Sequence, residues 1–237
     1  MENIELFTPL ICSVSTVLLL IFRRKRYNIS LSATVFVLIF VGFFGYLGSS
    51  LASYVSYGEW SGFRFYGKVV FATLTLVVLS HVLKIDTSKI LDFYSPADIL
   101  ALAIMKVGCV ETGCCSGIEL YLNQSGHSVY FPSQIVELFV ALMLFMTIIF
   151  LEKLSICEGY RYDFYLISYG ITRLILNYFR KNPGESLYLS QYKINTVTIF
   201  CIIIICFGVL GIYSRKHDDS FVFYYNEYEN GKNISKN

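Results

Sequence analysis

Seven stretches of this chain are apolar over close to the length needed to cross a bilayer. A backbone in hydrocarbon must satisfy its own amides and carbonyls, so runs of that length read as helices packed side by side. They extend from Glu5 to Phe22, Ser30 to Ser53, Tyr66 to Leu83, Pro96 to Val110, Ser133 to Leu151, Tyr162 to Phe179 and Ile194 to Tyr213. Composition agrees: 55% of the 237 residues are hydrophobic and only 15% are charged, values of an integral membrane protein. The expected fold class is therefore all-α, a polytopic membrane protein of about seven transmembrane helices. The fourth run is short and polar for a span, which predicts that its C-terminal end unwinds. The first run precedes the basic cluster Arg23–Arg26 and has no small-residue cleavage site, so it is expected to be a retained span.

Basic residues set the expected orientation. Arg23, Arg24, Lys25 and Arg26 follow the first run, Lys84 and Lys89 the third, Lys153 and Arg161 the fifth, and Arg215 and Lys216 the seventh. The opposite loops hold only Arg64, Lys68, Arg180, Lys181 and Lys193. The positive-inside rule then predicts an outer N-terminus and a cytoplasmic C-terminus. Residues 1–213 are expected to form one transmembrane domain, and residues 214–237, rich in Asp, Glu, Asn, Lys and Tyr, a polar cytoplasmic tail. No basic tract with interleaved aromatics points to nucleic acid.

Arg173 stands inside the sixth apolar run, where a guanidinium costs about 2.5–3.5 kcal/mol or more without a partner or a wet cavity. Tyr169, Arg173, Asn177 and Arg180 follow one another at spacings of four, four and three, which puts the polar groups on one helical stripe. That stripe reads as the wall of a site for an anion. The alternative is an interhelical ion pair that only orients the bundle.

Two further segments carry candidate chemistry. In MKVGCVETGCCSG, Met105 to Gly117, three glycines and three cysteines crowd the end of the fourth run. Gly108, Gly113 and Gly117 would let backbone approach a phosphate or headgroup, or would simply permit tight helix packing. Lys106 stands one turn before Cys109 and adds positive charge at the same level. In FPSQIVEL, Phe131 to Leu138, Pro132 and Ser133 suit a helix start. Gln134 and Glu137 share a face there, and Glu137 is placed to balance Arg173 or Lys106, or to take up a proton. No C-x-x-C pair occurs among the seven cysteines, and His81, His127 and His217 do not cluster, so neither a redox pair, a metal nor any cofactor is expected. Cys114 and Cys115 are read as structural or as loosely tuning the pocket, not as catalytic thiols.

Together these segments resemble the prolipoprotein diacylglyceryl transferase family of bacterial envelopes. GFRFYGK resembles the family's aromatic-glycine motif, KVGCVETGCCSG its glycine-rich signature, FPSQIVEL its Pro-Ser-Gln-Leu-Tyr-Glu segment, and YLISYGITRLILNYFR its late Tyr-Gly-x-x-Arg helix. Gln191 after that helix also fits, and the likeness extends from about Tyr57 to Thr198. The resemblance implies transfer of a diacylglyceryl group from phosphatidylglycerol to the lipobox cysteine of a secreted precursor, at the outer face of the bacterial cytoplasmic membrane. It implies catalytic roles for Tyr66, Glu137 and Arg173, and substrate contacts from Lys106, Gly108, Cys109, Gly113, Gln134, Tyr169 and Arg180. The chain departs from the pattern in places. Lys106 stands for the signature's Arg, Cys109 and Val110 for Asn-Phe, Cys114 for an acidic residue, Tyr66 for the early His, and Asn177 for the acidic residue after the late arginine. Two other functions fit the same residues: modification of a different envelope acceptor, a glycan or a lipid, and a non-catalytic bundle held together by the polar stripe.

Overall fold

The computed structural model describes residues 2–58, 60, 63–113, 117–122, 128–180 and 195–216. Cys114, Cys115, His127, Gln191, His217 and the tail beyond Lys216 lie outside the described residues. Among the described residues the chain folds into seven helices and one hairpin. The order is α1 (Glu2–Arg23), α2 (Leu31–Tyr57), α3 (Phe65–Leu83), α4 (Thr87–Thr112), β1 (Glu119–Leu122), β2 (Ser128–Tyr130), α5 (Ser133–Lys153), α6 (Arg161–Asn177) and α7 (Thr196–Lys216). The protein is an all-α polytopic membrane protein. α2, α3, α4, α5 and α7 are each long and apolar enough to cross a bilayer, and α6 has 17 residues.

The outer surface of the bundle is oily, as a lipid solvent requires. Phe36, Ile39 and Phe43 of α2 and Phe139, Met143, Met146 and Phe150 of α5 all point outward. α4 is the central helix and packs against α1, α3, α5 and α6. Small residues bring α2 and α3 close: a Cβ on Gly67 would run into the Gly48 carbonyl and the Ala52 side chain. Lipid offers helices no hydrophobic drive to associate, so close backbone approach of this kind holds them together.

α4 departs from expectation at both ends. It starts at Thr87, nine residues before Pro96, and remains helical to Thr112 instead of unwinding. Proline removes a backbone donor and crowds the preceding turn, which is why Pro96 reads as a helix start in the sequence. Here the carbonyl it strips, Asp92 O, and its neighbour Phe93 O are met from elsewhere. Asp92 O accepts Arg23 Nη2 at 3.1 Å and Ser95 Oγ at 3.0 Å, and Phe93 O accepts Arg23 Nε at 3.2 Å. The side chain of the last residue of α1 thus plugs the notch that Pro96 opens.

Arg23 belongs to a buried polar layer at one end of the bundle. It pairs with Glu152 of α5, and Arg26 adds a contact to the same carboxylate at 3.2 Å. Asp92 accepts the Gly159 and Tyr162 amides at 2.7 and 3.1 Å, thereby capping the start of α6. Arg215 of α7 pairs with Asp163. A second polar layer lies toward the other end of α5, α6 and α4.

The connection from α4 to α5 holds the antiparallel hairpin β1–β2, an element that the sequence patterning does not predict. Gly117 forms a bridge with Arg180, and Ile118 N donates to Phe179 O at 3.0 Å. A Cβ on Gly117 would strike the Phe131 carbonyl and side chain. Only glycine lets three chain segments meet there, and that meeting fixes where Arg180 lies.

Candidate active site

Glu137, in the second turn of α5, is the hub of the second polar layer. Its Oε1 accepts Arg173 Nη1 of α6 at 2.5 Å. Arg180, just beyond α6, grips the carboxylate with both sides of its fork, Nε to Oε1 at 2.9 Å and Nη2 to Oε2 at 2.9 Å. Lys106 of α4 pairs with Oε2. All four side chains are at most 13% exposed. One carboxylate thus collects three cations from three segments of the chain, and a fork-to-fork arginine contact is the strongest geometry available to it.

A cavity of about 170 Å³ lies beside this cluster. Lys106 and Cys109 of α4, Glu137 of α5, Tyr169, Arg173 and Asn177 of α6, Tyr66 of α3, and Arg180 all line it. The remaining wall includes Leu102, Met105, Val140, Ala141, Leu144 and Val197, so the floor is apolar and the charge is concentrated. Arg173 therefore faces an open space as well as a counter-ion, which a bundle-orienting ion pair alone would not need.

Aromatic groups set the remaining polar atoms. Tyr66 is buried and its hydroxyl lies 3.1 Å from Ser56 Oγ, which itself donates to Ala52 O at 2.7 Å. The Tyr66 ring packs on Phe200 of α7 with centroids 5.0 Å apart. Tyr169 is wedged between Phe65 at 5.8 Å and Tyr165 at 5.9 Å. Deeper in the bundle a separate pair joins Lys68 to Asp98 at 2.9 Å, with the Tyr165 hydroxyl donating to Asp98 at 2.8 Å.

The structure thus brings seven of the ten residues singled out in the sequence to one cavity: Tyr66, Lys106, Cys109, Glu137, Tyr169, Arg173 and Arg180. Three stand elsewhere. Gly108 faces α1, where a Cβ would meet Thr8 at 2.9 Å, so its smallness serves helix packing. Gly113 ends α4 in the left-handed conformation with φ of 66°, the usual glycine helix stop. Gln134 is half-buried one turn before Glu137 but is not part of the cavity wall. Arg64 and Tyr57 are among the lining residues that the sequence reading of the site misses. The one signal for Arg64 is its place inside GFRFYGK, immediately before the aromatic-glycine pair.

Residues 10–214 match the family model for prolipoprotein diacylglyceryl transferase. Among individual proteins, the chain is 27% identical over 144 residues to a phosphatidylglycerol–prolipoprotein diacylglyceryl transferase of Dehalococcoides mccartyi, a match covering 56% of this chain and 55% of that protein. Proteins of the same name in Clostridium tetani and Chlorobaculum tepidum are 27% identical over 155 residues and 26% identical over 162 residues. Those matches cover 61% and 63% of this chain, and 61% and 54% of the respective relatives. The chain spans little more than half the length of the curated relatives it matches.

Proposed function

Because this chain belongs to the prolipoprotein diacylglyceryl transferase family, we propose that it moves a diacylglyceryl group from phosphatidylglycerol to the lipobox cysteine of a prolipoprotein. The observation that carries this reading is the convergence of Lys106, Arg173 and Arg180 on Glu137 beside a cavity floored by apolar side chains. In the reaction a thiolate sulfur attacks the glyceryl carbon next to the phosphate. A C–S bond forms, the C–O bond breaks, and glycerol phosphate leaves with both electrons. The thiol proton ends on the released phosphate or in bulk water.

Each part of the cavity has a task in that sequence. The phosphate gains negative charge as its ester bond breaks, and fixed cations in a water-poor site stabilise that gain. Arg173 and Arg180 present forks, and Lys106 a point charge. The same positive potential favours the thiolate form of the attacking cysteine. Glu137 holds the three cations in position before the donor arrives, and Tyr66 and Tyr169 fix the headgroup from the α3 and α6 sides. The acyl chains remain in the bilayer, against the apolar floor. The cavity faces the outer leaflet in this reading, where secreted precursors emerge.

The test uses purified protein, labelled phosphatidylglycerol and a lipobox peptide. Release of glycerol phosphate with a lipidated thiol is expected, and R173Q should abolish both while still inserting into the membrane. Full turnover by R173Q would refute the phosphate role. Cleavage of the donor with no peptide modified would instead point to a different envelope acceptor.

A further inference from the structure

Building on the phosphatidylglycerol reading above, we propose that Arg64 is a further ligand for the donor phosphate and supplies a fork that no carboxylate of the site engages. Arg64 lines the same cavity as Lys106, Arg173 and Arg180. Those three are each drawn to Glu137, so an incoming anion must compete with an existing ion pair. Arg64 makes no ion pair among the described residues, and its Nε is buried without a hydrogen-bond partner among them. A buried guanidinium donor left without a partner is costly, and an anion that draws the Arg64 guanidinium toward the cavity removes that cost.

The local structure holds the group ready for this use. Arg64 is the N-cap of α3 in an extended conformation, and its amide donates to Ser49 Oγ of α2 at 2.6 Å. Its guanidinium carbon stands 4.0 Å from the centre of the Tyr57 ring. Stacking on a ring leaves the in-plane donors of a guanidinium available, which is the arrangement that binds phosphate edge-on. Among the described residues, four cations and one carboxylate line the cavity. That surplus exceeds what a phosphodiester with one negative charge requires, but it suits the phosphomonoester formed as the ester bond breaks. A fork with no standing partner among the described residues gains most as this charge develops. It also offsets the loss of a bidentate donor at Lys106, which is limited to a point charge.

The experiment reads binding, not turnover. Trp60 is the single tryptophan of the chain, lies four residues before Arg64, and stacks on Tyr54 at 4.6 Å, so its fluorescence reports on this corner of the site. The full chain in phosphatidylcholine nanodiscs is titrated with sn-glycerol phosphate and, separately, with rising fractions of phosphatidylglycerol. R64Q should weaken binding of both probes by about tenfold, the scale of one charged hydrogen-bonded contact. R64K should recover only part of the loss, and K153Q, a change at the far end of α5, should have no effect. Because the Arg64 amide bond to Ser49 does not involve the side chain, R64Q is expected to keep the parent's elution profile. R64Q binding both probes within twofold of the parent would overturn the assignment. Glycerol phosphate bound without any response to the lipid would overturn it too, reassigning the site to a soluble phosphate. Failure of the unaltered protein to bind either probe would bring down the donor reading itself, and the Arg64 assignment with it.

Discussion

Replacing Glu137 with Gln keeps the shape of the side chain and removes the charge around which the cavity is organised. Glu137 is 6% exposed, and its three cationic partners are 9–13% exposed, so solvent does little to screen the change. Removing one partner of a buried ion pair costs about 3–5 kcal/mol, because the other is left uncompensated. Here three cations lose one shared counter-charge, while the amide oxygen of Gln can still accept from one of them. The full range is therefore expected, without multiplication by three. For a chain of this length each kcal/mol lowers the melting midpoint by roughly 2–4 °C, so E137Q should melt roughly 6–20 °C below the parent in the same detergent. A second measurement separates this account from a general loss of packing. Freed cations should bind phosphate more tightly, and a ligand at one hundred times its Kd restores about 2.7 kcal/mol. Phosphate should therefore raise the melting point of E137Q more than that of the parent. If E137Q melts with the parent, or falls without recovering in phosphate, Glu137 is not the neutralising centre described above.

Two further substitutions test the scaffold that carries the site. Gly67→Ala puts a methyl group against the Gly48 carbonyl and Ala52, and should destabilise the protein by about 1–3 kcal/mol through forced separation of α2 and α3. A melting midpoint equal to the parent's would show that the two helices do not depend on that approach. Asp92→Asn removes the charge facing Arg161, 3.8 Å away, and weakens the double acceptor at the start of α6. It should cost about 3–5 kcal/mol, read as earlier loss of monodisperse protein on heating; an unchanged profile would discount the polar layer as a source of stability.

The helices are legible because hydrocarbon leaves a long apolar run few alternatives, and helical spacing places Tyr169 and Arg173 on one stripe, whereas α6 ends at Asn177 and Arg180 is set by its bridge with Gly117. The sequence places Glu137 to balance Arg173 or Lys106, and it meets both, together with Arg180. What the sequence could not convey depends on contacts between distant segments. Pro96 reads as a helix start because nothing nearby shows that Arg23 will meet the stripped carbonyl and its neighbour. Gly108 and Gly113 sit in a signature that invites a phosphate pocket, yet one faces Thr8 and the other ends a helix. Arg64 passes for an ordinary loop charge until Tyr57 and the cavity are placed around it. The hairpin is too short and too irregular to leave a clear alternating pattern.

The plug that Arg23 provides at Pro96 bears on how the protein is made. A ribosome adds roughly 5–20 residues per second, and Arg23 precedes Phe93 by 70 positions. The guanidinium therefore reaches the bilayer several seconds before the carbonyls it will meet. Vectorial synthesis delivers the stopper before the hole. A rearranged gene that encoded α1 last would leave Asp92 O to Ser95 Oγ alone during assembly, and its product should accumulate to a lower level in the cell even though the finished contacts would be identical.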